Sequence, residues 1–197
     1  MDKRKFLSLA ACGAAVLPPA FSAQAASRPL RGPALLTVSG LIGVGGNRGA
    51  LDPALDQMMV KQKIRFDKAQ VFDFAALTAM PAVTIKPTLE YDNQAHTLKG
   101  PLLMDVMKAS GVKVTDRTAL FLRAVDGYAA QVNATDAAKY RFIVATHLDG
   151  QPMALGGLGP LWAVFDADRF ADMAAKPVTA RFASCPWATY HIEVKNT

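Results

Sequence analysis

The sequence predicts an α+β domain, with a β-rich core of mixed and antiparallel sheets that carries a few short helices. Three observations lead there. Runs of alternating or β-branched residues recur along the chain, among them residues 83–91 (VTIKPTLEY), 119–125 (ALFLRAV), 142–147 (FIVATH) and 190–195 (YHIEVK). Two Asp-Gly pairs, Asp126-Gly127 and Asp149-Gly150, follow such runs at once or after one residue, where a tight turn sends the chain back. Residues 101–110 (PLLMDVMKAS) have the apolar spacing of an amphipathic helix, with Leu102, Leu103, Val106 and Met107 on one stripe. Many strands and few helices read as α+β.

Composition sets the bounds. Of 197 residues, 51% are hydrophobic and 19% charged, and the mean hydropathy is +0.16. A chain this apolar has enough area to bury to offset the entropy of ordering, which excludes disorder. Its length suits one domain whose core needs no cross-links, and two cysteines exclude a disulfide scaffold. The net charge of +6 is scattered, and basic residues do not cluster with aromatic ones, which excludes a nucleic-acid face.

Residues 1–25 read as an export signal. Met1 to Lys5 (MDKRK) is basic, residues 6–16 (FLSLAACGAAV) are apolar and small, Pro18-Pro19 breaks the run, and Ala23-Gln24-Ala25 offers a small-x-small cleavage site. The apolar run is shorter than the roughly 20 residues of a membrane span. Cleavage after Ala25 predicts a periplasmic or secreted protein without a transmembrane helix. Lys3-Arg4-Lys5-Phe6-Leu7 looks like a twin-arginine start with lysine in the first arginine position. Leu9-Ala10-Ala11-Cys12 resembles a lipobox, but the apolar run before Cys12 is very short, so cleavage is expected instead of lipid anchoring. Removing residues 1–25 takes away three basic residues and one acidic one, which leaves a charge of +4 and a single cysteine, Cys185. Residues 26–34 then form a linker and 35–197 the domain.

Within the domain, Leu35 to Gly40 (LLTVSG) is the opening strand, and residues 43–49 (GVGGNRG) are a glycine-rich loop. Residues 51–63 read as a short helix or excursion, and 64–66 as a strand, because Lys63 to Phe66 alternates polar and apolar. Asp73 is a natural N-cap for one or two helical turns that end at Pro81. Residues 83–91 form a strand in which Pro87 marks an edge or bulge. Pro101 suits the first position of the helix 101–110, and Gly111 stops it. Residues 119–125 and 128–132 pair as a hairpin about Asp126-Gly127, and Asn133 caps a short helical turn. Residues 142–147, 161–165 and 190–195 supply the remaining strands.

Several candidate chemistries are set aside on the residues. The glycine loop lacks the Lys-Ser/Thr ending of a P-loop and the later acidic residue of a dinucleotide site. His96, His147 and His191 have no metal-ligand spacing. Asp166 and Asp168 flank Ala167 after a strand, where capping or a turn accounts for them better than acid–base work. No Gly-x-Ser-x-Gly elbow supports a nucleophilic serine. As the single cysteine of the expected mature chain, Cys185 has no internal disulfide partner, which leaves its thiol either buried or reactive, and in Ser184-Cys185-Pro186-Trp187 it has no adjacent base to activate it.

A series of segments then carries a resemblance. It runs through Thr37-Val38-Ser39-Gly40, Asp73-Phe74 with Leu77 and Met80-Pro81, Gly100-Pro101-Leu102-Leu103 with Gly111, and Asp126-Gly127-Tyr128. It ends with Asp149-Gly150-Gln151-Pro152-Met153, Gly159-Pro160-Leu161-Trp162 and a strand after Trp187. In this order the chain resembles the oxidoreductase molybdopterin-binding domain of the sulfite oxidase superfamily, above all its small exported members, over about residues 35–195 with an insertion near 43–63. The resemblance implies the sulfite-oxidase-type molybdopterin-domain fold. It also implies a pyranopterin-held molybdenum ligated by one cysteine after the strand that follows the Leu-x-x-Leu-Pro segment. The corresponding stretch, Thr88-Leu89-Glu90-Tyr91-Asp92-Asn93, has no cysteine, and Tyr91 stands near the thiolate position. A phenol does not replace a soft thiolate ligand. Where the enzymes tend to carry arginine after the Gly-x-Pro-hydrophobic segment, this chain has Trp162.

The expectation is therefore an exported module without molybdenum or another cofactor, non-enzymatic, that binds a small molecule or an envelope protein. Tyr91, Arg123, Asp126, Tyr128 and Trp162 are its candidate cleft residues. The alternative is a molybdopterin-dependent oxidoreductase with atypical metal ligation.

Overall fold

The structure, a computed structural model, describes residues 29–197. The expected signal, its cleavage site and Cys12 lie outside the described residues. The fold is α+β and strand-rich, with three sheets and a few short helices.

The largest sheet has the order β2-β1-β11-β5-β6, from β1 (Leu36–Gly40), β2 (Ala69–Phe72), β5 (Thr118–Ala124), β6 (Ala129–Asn133) and β11 (Thr189–Asn196). The opening strand β1 lies parallel to the last strand β11, with Thr37 opposite His191, and every other pairing in the sheet is antiparallel. A second sheet runs β3-β4-β8-β9, from β3 (Ala82–Ile85), β4 (Leu98–Pro101), β8 (His147–Leu148) and β9 (Gln151–Pro152). The third pairs β7 (Ile143–Ala145) with β10 (Trp162–Val164). Leu36, Val38, Leu120, Leu122, Val132, Ile192 and Val194 project from one face of the large sheet into a single core, which also contains Phe142, Trp162 and Phe165.

The short helices follow their caps. α2 (Phe74–Thr78) starts at Asp73, whose Oδ1 accepts the Ala76 N–H at 2.7 Å. The Asp73 Oδ2 accepts N–H groups from Arg31 and Gly32, so residues of the expected linker are tied to the domain. The Ala76 and then the Arg31 backbone donors hold this carboxyl below its usual range. α3 (Leu103–Ala109) buries Leu103, Val106 and Met107, and α4 (Ala134–Lys139) follows Asn133 as expected, although the Asn133 side chain makes no cap bond.

Four local expectations are corrected. Residues 64–66 are not a strand. Lys63 takes a left-handed φ of 58°, and Ile64 turns into a small cluster with Met59 and Tyr190. The strand is β2, three residues later, and Arg48 of the glycine loop exchanges backbone hydrogen bonds with its Ala69. Pro101 is not the first helical residue: it ends β4 opposite Ala82, and Leu102 precedes the helix in extended geometry. β8 pairs with only Leu98 and Lys99, so the missing Pro101 N–H faces no β8 partner. The run 142–147 divides at Thr146 into β7 and β8, which belong to different sheets. The strand expected over 83–91 stops at Ile85. Beyond it Asp166 and Asp168, on either side of Ala167, accept the N–H groups of Lys86 (3.2 Å) and Thr88 (2.7 Å) in place of a ladder.

The excursion at 43–68 covers the outer face of the large sheet. Its α1 (Gln57–Lys61) packs Met59 against Ile64 and Tyr190, and Gln62 accepts the Tyr190 hydroxyl proton at 2.9 Å. Phe66 stacks on His191 with ring centroids 6.4 Å apart. No helix of the described residues is long and apolar enough to cross a membrane.

Candidate functional site

The Asp166 and Asp168 contacts hold residues 86–88, and a tight loop follows. Leu89 donates to Gln94 O at 2.9 Å and Asn93 donates to Leu89 O at 3.0 Å. This loop projects Glu90 and Tyr91 towards the β5–β6 turn, where the Asp126 Oδ1 accepts the Tyr128 N–H at 2.9 Å. The third wall is the segment entering β11. There the Tyr128 hydroxyl donates to Ala183 O at 2.6 Å, and Ala188, beside Trp187, takes a left-handed φ of 47°.

Together these elements enclose a cavity of about 250 Å³ lined by Glu90, Tyr91, Asp126, Tyr128, Phe182, Cys185, Pro186 and Trp187, with Ala124, Thr179 and Ala183 completing it. Three of the five expected cleft residues, Tyr91, Asp126 and Tyr128, meet here. Trp162 does not line the cavity: it is fully buried beneath it, with its Nε1–H donated to Cys185 O at 2.8 Å and its ring 6.0 Å from that of Phe182. Arg123 points to the opposite face of β5 and pairs with Glu193 at 3.4 Å. Alternation along β5 separates Arg123 from the Ala124 that reaches the cavity.

Sequence reasoning did not assign Glu90, Phe182, Cys185, Pro186 or Trp187 to this cleft. The signal for Trp187 was a bulky residue just before the last strand, and that for Glu90 was its place next to Tyr91.

Two weak acids at the cavity, the Tyr91 phenol and the Cys185 thiol, are held in their neutral forms. Partial burial, and then the adjacent Glu90 carboxylate, push the Tyr91 phenol up to about 12. Burial pushes the Cys185 thiol up to about 12, and only 4% of the residue is exposed. Of the alternatives buried or reactive, Cys185 is the buried thiol.

The three histidines lie elsewhere. His96 bridges Asp92 (2.8 Å) and Asp149 (2.7 Å), and these contacts raise its pKa and lower both aspartates. His147 bonds Thr146 at 2.8 Å. His191 bonds the Ser39 hydroxyl at 2.9 Å but is fully buried, which leaves no access for a substrate. Among the described residues no group of three His, Cys, Asp or Glu side chains could hold a metal ion. A larger cavity, about 310 Å³, lies between residues 29–31 and β2, but the Asp73 and Asn47 side chains on its wall are already committed to backbone partners.

No family model matches the chain, and no curated protein is significantly similar to it. Among solved structures, the sulfane dehydrogenase SoxCD from Paracoccus pantotrophus is similar, with a TM-score of 0.50 and 13% sequence identity. The match covers 82% of this chain but only 38% of that one. The likeness is one of fold.

Proposed function

We propose that this chain is an exported small-molecule-binding module on the sulfite-oxidase-type molybdopterin-domain scaffold, and that it works in the cell envelope without molybdenum. The observation that carries this reading is the lining of the Tyr91 cavity. The resemblance puts a metal-ligating thiolate near Tyr91, and the cavity there offers the neutral Tyr91 phenol, the Tyr128 hydroxyl, a neutral buried thiol and two carboxylates. It has no lysine, arginine or histidine on its wall. A pyranopterin carries phosphate and dithiolate charge, which such a lining repels. The volume, about 250 Å³, also lies below the roughly 300–1,000 Å³ usual for cofactor-sized ligands. The residues present do not fit the group. Aromatic side chains set among polar groups suit a small, polar organic ligand instead.

One observation favours a second reading, a molybdopterin-dependent oxidoreductase with atypical ligation: Cys185 lines the same cavity as Tyr91. Against it stands the burial that keeps this thiol protonated. The test is expression with the native N-terminus in a molybdenum-replete host, followed by metal and pterin analysis of the folded protein and mass determination of its N-terminus. Metal far below stoichiometry and a start at Ala26 are expected. Stoichiometric molybdenum would overturn the binding-module reading.

A further inference from the structure

We propose that the cavity between Tyr91, Tyr128 and Trp187 binds a small organic cation, an alkylammonium ion held by aromatic faces and by the carboxylates of Glu90 and Asp126. This rests on the binding-module reading and names its ligand class.

The first observation is where the exposed aromatic rings lie. Among the described residues only three aromatic side chains are exposed: Tyr91 at 56%, Tyr128 at 51% and Trp187 at 36%. All three line this one cavity. A single exposed ring is ordinary, but three from separate segments gather around one hollow whose exposed lining is otherwise mostly polar, and nothing in the described chain covers them. One of the rings is also preset: the Tyr128 hydroxyl is anchored on Ala183 O.

The second observation is charge. The protein is basic, with 22 lysines and arginines against 16 acidic residues, yet this wall has two carboxylates and no cation. Neither Glu90 nor Asp126 joins an ion pair among the described residues, whereas Arg181, on the segment that forms the third wall, is taken by Asp168 at 2.6 Å. Asp126 has one oxygen bound to the Tyr128 N–H and the other uncommitted. An anion would meet two like charges, and a neutral solute would leave both carboxylates unused. An alkylammonium ion uses both features at once, because its charge is attracted to ring faces and carboxylates alike and its methyl groups need no hydrogen-bond partner. The size of the hollow limits the ion to a small one.

The test titrates the full mature chain with choline, following heat and tryptophan fluorescence, with Trp162→Phe leaving Trp187 as the reporter. The comparison is its neutral analogue, in which carbon replaces the nitrogen. Saturable choline binding is expected, with the neutral analogue about tenfold weaker or more. Glu90→Gln and Asp126→Asn should each weaken choline several-fold and Trp187→Leu about tenfold, with melting temperatures checked to establish folding. Asp116→Asn, an exposed carboxylate elsewhere, should leave binding unchanged. Equal binding of the neutral analogue would overturn the cation assignment while leaving a ligand site standing. Absence of saturable choline binding at millimolar concentration would also overturn it. Phosphatidylcholine vesicles present the same headgroup on a membrane, and binding to them without binding of free choline would overturn the assignment to a soluble ion. Molybdenum loading, by contrast, would defeat the reading on which this one rests.

Discussion

His191 makes the domain acid-sensitive over a defined window. Its imidazole is fully buried on β11, with one ring nitrogen bonded to Ser39 and Nδ1 without a partner among the described residues. Burial, and then the Arg123 guanidinium opposite it in the sheet, bring its pKa down from 6.5 to about 4; Arg48 and Lys195 act in the same direction, and Glu193 opposes them. The folded state therefore keeps the ring neutral while the unfolded chain takes up a proton, so stability is complete above pH 6.5 and is lost as pH falls towards 4. Linkage between the two values gives a loss of about 2 kcal/mol by pH 5 and about 3 kcal/mol by pH 4. That is a sizeable part of the roughly 5–15 kcal/mol of an ordinary domain. Urea unfolding at steps between pH 7 and pH 4 measures it. His191→Gln keeps a hydrogen-bonding side chain but cannot titrate, so its stability should vary less over this range, with the difference growing to about 3 kcal/mol. Other titrating groups cancel in the difference. The raised His96 adds stability that is present below pH 6.5 and lost as pH rises through its folded pKa, and the lowered Asp73, Asp92 and Asp149 act below about pH 4. Parallel loss of stability in wild type and His191→Gln would refute the reasoning.

Three further predictions follow from the same geometry. In a proton NMR titration the His96 ring should have a midpoint above 6.5, and Asp149→Asn, which removes its largest partner, should lower that midpoint; an unchanged midpoint would sink the bridge. Cys185 should resist a thiol reagent at pH 8 in the folded protein, because a pKa of about 12 leaves only on the order of one thiolate in ten thousand, and should react fully in denaturant. Stoichiometric native labelling within minutes would contradict its burial. Gly100→Ala should destabilise by about 2 kcal/mol or more in urea, because an added Cβ would lie 1.9 Å from the Val144 carbonyl oxygen, where β4 packs on β7; an unchanged midpoint would mean that this approach relaxes freely.

Much of this fold is local in origin and readable in the chain. The Asp126-Gly127 and Asp149-Gly150 turns, the Asp73 cap, the apolar stripe of α3 and the period of β11 each depend on residues within a few positions of one another. The same locality brought Asp126 and Tyr128 to one turn and put Tyr91 in the loop after β3. Pairing and facing are different. Nothing near Leu36 specifies that β1 lies parallel to a strand ending the chain, and nothing near Thr146 specifies that the run of apolar residues changes sheets there. Both follow from which faces must be buried together, a property of the assembled layers. The site divides in the same way. Tyr91, Asp126 and Tyr128 could be nominated one by one, but packing turned Trp162 inward and Arg123 to the far face, and brought Glu90, Cys185 and Trp187 to the same hollow. The signs of the cavity's charges, and with them the ligand class proposed for it, come from that convergence of three segments distant in sequence. Local pattern cannot encode it, because each segment has its own separate reason for its shape.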